Sequence, residues 1–223
     1  MVTFTITSGC LETPDVTPAS VSADALNEYE WVQAEDVRYD SQELTVANTT
    51  LMVSTAKSAY TDERLSNEIT SQMQDAMAGM GIEGVMEVPV FSSQMTTMRI
   101  MLPAGVTLPS GPITGMIDSL METVTEANNI QNLSKVGSME IALNDGSTTT
   151  SNTYSGRIDT DVSSISVMGT LMLWSTPDST VIVFAIVPDG AFDLKIDTLK
   201  RTIATVYGDQ EMAEVIEMVR TIK

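Results

Sequence analysis

Apolar positions along this chain repeat in two different periods, and the periods sort it into elements from about residue 22 onward. Residues 29–39 are aromatic-rich and read as extended. Residues 42–46 and 50–60 are rich in Thr and Val, with Asn48-Thr49 between them as a turn. Leu51, Val53 and Thr55 share one strand face. Over 61–78 the period changes. Leu65, Ile69, Met73 and Met77 recur every four residues, which predicts a helix with one apolar stripe. Thr61 can cap it, Asp62 and Glu63 suit its first turn, and Gly79 and Gly81 stop it.

Strands are predicted next over 85–91 and 97–102. Pro89 places the first at an edge. Pro103-Ala104-Gly105 breaks the chain before a helix over 112–128, with Ser110 as cap and Ile113, Ile117, Leu120 and Val124 as its buried face. Strands follow over 136–143 and 151–158, with Asn144-Asp145-Gly146 as the turn between them. Residues 162–174 alternate cleanly. Ile165, Val167, Gly169, Leu171 and Leu173 face one way, and Ser164, Ser166, Met168, Thr170 and Met172 the other. Residues 181–187 are apolar without a break, as in a strand covered on both faces. Two helices are predicted to close the chain. Ile196, Leu199, Ile203 and Val206 mark the first, and Met212, Val215, Val219 and Ile222 the second, with Gly208 between them.

Strands joined by short turns pair antiparallel, and helices arriving between strand groups cover the sheet. The fold class is therefore α+β: a mainly antiparallel sheet flanked by helices, an α/β/α sandwich. One globular domain spans 22–223, and residues 1–21 form a flexible tether or the remnant of a signal region. The stretch Met98-Arg99-Ile100-Met101-Leu102-Pro103-Ala104-Gly105, a strand ending in Pro-x-Gly before a helix, resembles the PsbP/Mog1-like fold, as does the late strand pair 169–174 and 181–188. The likeness is one of element order over about residues 42–207. It implies a non-catalytic accessory or binding domain and supplies no functional residues.

The start of the chain adds a second clue. Cys10 is the only cysteine, so no internal disulfide exists. It follows Ser8-Gly9 and precedes Leu11-Glu12-Thr13-Pro14-Asp15-Val16-Thr17-Pro18, too polar and Pro-bearing to fold alone. A small-small-Cys step before such a linker resembles the cleavage site of a lipoprotein signal peptide, which makes Cys10 the lipidation candidate. Thr7 stands where that family prefers Leu, and the upstream segment is short and lacks a basic region. With this tether the chain is similar to archaeal surface lipoproteins.

Charge narrows the function classes. Thirty Asp and Glu stand against eleven Lys and Arg, for a formal charge of −19, and 51 residues are Ser or Thr. Phosphate backbones and anionic membranes are repelled, so neither nucleic acid nor a lipid surface is an expected partner, apart from an anchor at Cys10. Such a surface suits a halophilic or extracellular setting, where salt screens the self-repulsion. No histidine is present, which removes Ser-His-Asp triads, Cys-His pairs and His-ligated metals.

The remaining candidate chemistry is sparse. Gly79-Met80-Gly81-Ile82-Glu83-Gly84 fits G-x-G-x-x-G, but a helix precedes it where a nucleotide fold needs a strand. Met73, Met77 and Met80 share a helix face and could hold Cu(I) through soft thioethers, although a methionine stripe also fits a core. Met95, Met98 and Met101 recur nearby but alternate in a strand. Asp159/Asp161, Glu35-Asp36 and Asp189/Asp193 are the paired carboxylates a hydrolase would use. Trp31, Trp174 and Tyr154 could stack a ligand. Lys195, Lys200 and Arg201 form the one dense basic cluster, a candidate partner or anion site. The sequence thus points to a non-catalytic extracellular binding domain with no cofactor, engaging a protein or small ligand. The alternatives are a carboxylate-based hydrolase and a Met-based Cu(I)-binding protein.

Overall fold

A computed structural model of the protein describes residues 15–46, 49–81, 92–101, 110–159, 163–176, 179–196 and 199–223. They form α1 (Ala23–Glu28), β1 (Trp31–Gln33), β2 (Arg38–Val46), β3 (Thr49–Asp62), α2 (Glu63–Gly79), β4 (Gln94–Met101), α3 (Ser110–Ala127), β5 (Ile130–Ala142), β6 (Thr148–Asp159), β7 (Ser163–Ser175), β8 (Ser179–Ile196), β9 (Leu199–Val206) and α4 (Gly208–Arg220). The fold is α+β. All nine strands join one antiparallel sheet, ordered β1-β3-β4-β8-β7-β6-β5, with β2 also on β3 and β9 also on β8.

β8 explains the layering. Its uninterrupted apolar run feeds both faces. Val181, Val183, Ala185 and Val187 enter a core with Met212, Val215, Met218 and Val219 of α4 and Ala25 of α1. Ile182, Phe184 and Ile186 point the other way, against Leu120 of α3 and Val53, Ile100, Val167 and Leu171 of the sheet. Each large side chain fully buried this way contributes about 1.5–3 kcal/mol of transfer free energy, so β8 is the main hydrophobic keystone. The stripe of α2 behaves as its spacing predicts. Leu65, Ile69, Met73 and Met77 pack on Ile165, Phe192 and Val206.

The helix expected from Ile196, Leu199, Ile203 and Val206 is instead the outer part of a β8–β9 hairpin. A bulge explains the misleading spacing. The register slips between Phe192 and Asp193, which pair with Ala204 and Thr202, so Ile203 is an extra residue. An extra residue resets strand parity, and Ile203 and Val206, three apart, both reach the α2 core. The β-branched Thr202, Ile203, Thr205 and Val206 favour a strand besides. The sequence also misses α1, six residues capped by Ser22, whose Oγ accepts the Ala25 N–H at 3.2 Å. The strand expected over 85–91 lies outside the described residues.

The folded body takes in part of the expected tether. Ala19 and Val21 are buried in the first core. Thr97 Oγ1 donates to the Ala19 carbonyl at 2.6 Å, Arg99 Nη1 to Thr17 Oγ1 at 3.1 Å, and the Val21 N–H to the Tyr60 hydroxyl at 3.3 Å. Tyr60 pairs with Met95, so the contacts advance two residues at a time, in opposite directions on the two chains. Residues 17–21 therefore lie as an extended strap running antiparallel to β4 on the first face.

Candidate functional site

Among the described residues, a dense group of ionisable side chains forms where β3 becomes α2. Asp62 ends β3 and is the N-cap of α2: its Oδ1 accepts the Leu65 N–H at 2.9 Å. This role fell to Thr61 by sequence, but Thr61 turns its hydroxyl to Ser92 and to the Ser93 carbonyl. Even-numbered residues of β3 face the first core, so Asp62 points toward α4, whose opening turn carries Glu211. Arg64 Nη2 reaches three carboxylates at once: Asp62 Oδ2 at 3.2 Å, Glu211 Oε1 at 3.3 Å and Glu214 Oε2 at 3.5 Å. Ser93 Oγ donates to Glu211 Oε2 at 3.4 Å. Asp62 is fully buried and Glu211 nearly so.

Burial pushes the Asp62, Glu211 and Glu214 carboxyls above their usual range, and Arg64 pulls each partway back. Their oxygens lie within 4.8 Å of one another, close enough to share a cation. The chain's own guanidinium already lies against all three. The arrangement clasps the start of α2 to the first turns of α4. All three carboxyls shift in the same direction, upward.

A small cleft opens elsewhere, lined by Ser92, Gln94, Asn128, Ile158, Val167, Ile186 and Pro188. Asn128 Nδ2 donates to Gln94 Oε1 at 3.3 Å across it. Val167 and Ile186 belong to the second face, so cleft and carboxylates lie on opposite sides of the sheet.

The residues singled out by sequence are dispersed. Met73 and Met77 are buried among Leu65, Ile69, Ile165 and Phe192, with Met80 packed against them. Met95 enters the first core and Met98 packs on the second. Trp31 and Trp174 are buried in the first core, and Tyr154 packs on the second. Asp159 is paired with Arg157, Glu35 with Arg38, and Asp193 accepts from Thr202 Oγ1. Asp189 Oδ1 accepts the Gly208 N–H. Gly79 ends α2 and Gly81 takes a left-handed turn with φ +70°. Lys195 and Lys200 are cross-strand partners beside the β8–β9 turn, and Arg201 pairs with Leu194. Cys10, Asp161 and residues 82–84 lie outside the described residues.

Arg64, Glu211 and Glu214 escaped the sequence reading because their meeting depends on contacts across about 150 positions. Only Asp62 carried a local signal, its place three residues before the first stripe residue, Leu65.

Residues 18–223 match the family model described as a domain of unknown function, DUF6517, and the chain belongs to that family. No curated protein matches the chain.

Proposed function

We propose that this member of the DUF6517 family is a non-catalytic binding domain, held at a cell surface by a short N-terminal tether from Cys10. In this reading the open edge of its sheet meets a protein partner. The observation that carries it is β5. Among the described residues β5 pairs only with β6, which leaves the outer side of a thirteen-residue strand free for another strand to join. Residues 134–140 of β5 are exposed on both faces, and Val136 and Met139 are 63% and 53% exposed.

The edge is guarded as a selective interface would be. Lys135 and two register irregularities interrupt the strand, and Val136 is the extra residue of one of them. Such features discourage indiscriminate edge pairing. A PsbP/Mog1-like arrangement of the sheet fits the same accessory role. Among the described residues no acid lines the cleft, which weighs against the hydrolase alternative, and the Met73 and Met77 sulfurs lie among apolar side chains, which weighs against the Cu(I) one.

A photo-reactive residue at position 136, in the full chain on intact cells of the native host, tests the reading. Position 207 is the control, because Tyr207 is equally exposed at 65% but lies on no strand edge. A discrete adduct from 136 and none from 207 is expected. No adduct, or the same adducts from both, would overturn it.

A further inference from the structure

The strap runs along a face that carries a column of polar residues out of place among apolar ones. On that face β3 presents Ser54, Ala56 and Ser58, and β4 presents Thr97, Arg99 and Met101. The pairs are Ser58 with Thr97, Ala56 with Arg99 and Ser54 with Met101. Ser54 and Ser58 are 2% and 1% exposed, yet neither hydroxyl has a hydrogen-bond partner among the described residues, and the buried Nε of Arg99 has none either. Native proteins leave few buried polar groups in this state. All three can donate, so what the column lacks is acceptors.

Arg99 is the exception among the arginines whose side chains are described. Arg38, Arg64, Arg157 and Arg220 each pair with a carboxylate, whereas Arg99 meets none among the described residues, in a chain with thirty acids. Its only partner among the described residues is Thr17 of the strap, through Oγ1 and, at 3.5 Å, the carbonyl. Burial alone pulls its pKa down, with no neighbouring acid to offset it.

Spacing fixes the shape of the missing partner. Ser54 and Ser58 sit two residues to either side of Ala56, about 6.6 Å each way along the strand, with the Arg99 side chain opposite the gap. An extended peptide repeats its same-side groups at that interval. The strap shows that an extended segment seats on this face. Its Thr17, Ala19 and Val21 side chains bring one hydroxyl, and Asp15, the next residue on that side, is exposed and forms no ion pair with Arg99 among the described residues.

We propose that the strap groove is a receptor for an extended acidic peptide segment, which replaces residues 15–18, sets a carboxylate on Arg99 and accepts from the Ser54 hydroxyl. The site is on a different strand and face from the β5 edge, and neither depends on the other. The charge of −19 repels acidic ligands at a distance, and about 0.15 M salt confines electrostatics to roughly 8 Å, so contact with Arg99 decides binding.

The test is calorimetry on the full chain at that salt. The probes are a seven-residue peptide with Glu at alternate positions, its Gln counterpart, and sodium acetate at matched ionic strength. The Glu peptide is expected to bind at least about tenfold more tightly than the Gln peptide. Arg99→Met should abolish the difference, and amide exchange of residues 15–18 should speed up when the Glu peptide binds. A melting curve checks that Arg99→Met is folded, and Ser54→Ala, expected to weaken binding without changing charge, serves if it is not. Equal binding of the two peptides, no binding by either, or binding unchanged in both variants would overturn the proposal. So would acetate alone saturating the site, which would make it a pocket for free carboxylates.

Discussion

Asp189 and Gly208 are matched across the base of α4. The Gly208 N–H donates to Asp189 Oδ1 at 3.1 Å, and a Cβ added at residue 208 would lie 2.7 Å from the Asp189 Cβ. The residue at the N-cap position, Tyr207, offers no side-chain hydrogen bond, so a residue nineteen positions upstream caps the helix. Asp189→Ala should therefore cost about 1 kcal/mol, as losing a helix cap does. Gly208→Ala should cost about 1–3 kcal/mol, because the Asp189 atoms in the way include its Cβ rather than only a flexible tip. Urea denaturation of both variants checks the order. Equal stability of Gly208→Ala and the parent would refute the close fit.

The carboxylates around Arg64 set a direction for pH dependence. Their pKa values are raised on folding, so the folded state binds more protons than the unfolded chain above about pH 4, where free carboxyls ionise. Stability from this cluster is thus greatest in mild acid and falls as pH rises through the folded pKa values. The melting temperature should be higher at about pH 5 than at about pH 7.5. Glu214→Gln should flatten that difference, whereas Glu140→Gln, on exposed β5, should not.

Removing the cation separates the clasp from the rest of the fold. Arg64→Met leaves three carboxylates facing each other and should cost about 2–4 kcal/mol near neutral pH. That is less than a fully buried pair would lose, because about a third of Arg64 remains in water. Acidification should restore part of the loss. A variant equally destabilised at both pH values would show that packing, not charge, holds the two helix starts together.

Core and edge should respond in opposite ways. Phe184 is 1% exposed at the centre of β8, and Phe184→Ala should cost about 3–5 kcal/mol. Val136→Ser, on the open strand, should stay within about 0.5 kcal/mol of the parent while removing the partner contact proposed for that edge. Chemical denaturation gives the first comparison, and the cross-linking yield from a probe at Met139 gives the second.

The surface reading makes a chemical forecast. Mass spectrometry of the protein from its native membrane fraction should find a lipid on Cys10, and an unmodified Cys10 in a cytosolic fraction would remove the anchor. The melting temperature should also rise between dilute buffer and about 1 M KCl as self-repulsion is screened.

Much of the fold was legible in local periods. The stripe from Leu65 to Met77 follows from one face of a helix meeting a core, and the unbroken run in β8 from successive side chains meeting a core on either face; β7 also feeds both, with Val167 and Leu171 on one side and Met172 and Trp174 on the other. The β9 strand was hidden because a single bulged residue, Ile203, gave a strand the spacing of a helix. The candidate site was hidden for a different reason. Arg64 and Glu211 are neighbours only after the whole sheet has formed, and no local pattern encodes that meeting. Arg99 did leave a trace: a lone arginine between Met98 and Ile100, in a strand whose next residues are apolar.

The strap has a mechanical consequence. Its contacts to Tyr60, Thr97 and Arg99 are spread along one strand axis, with the N-terminal end of the segment leading off past Arg99. A pull from that end, along the axis, loads all three together, as sliding two glued rulers does. A pull perpendicular to the sheet would break them one after another, starting at Thr17. The attachment would thus resist drag along the strands far better than lifting away from them.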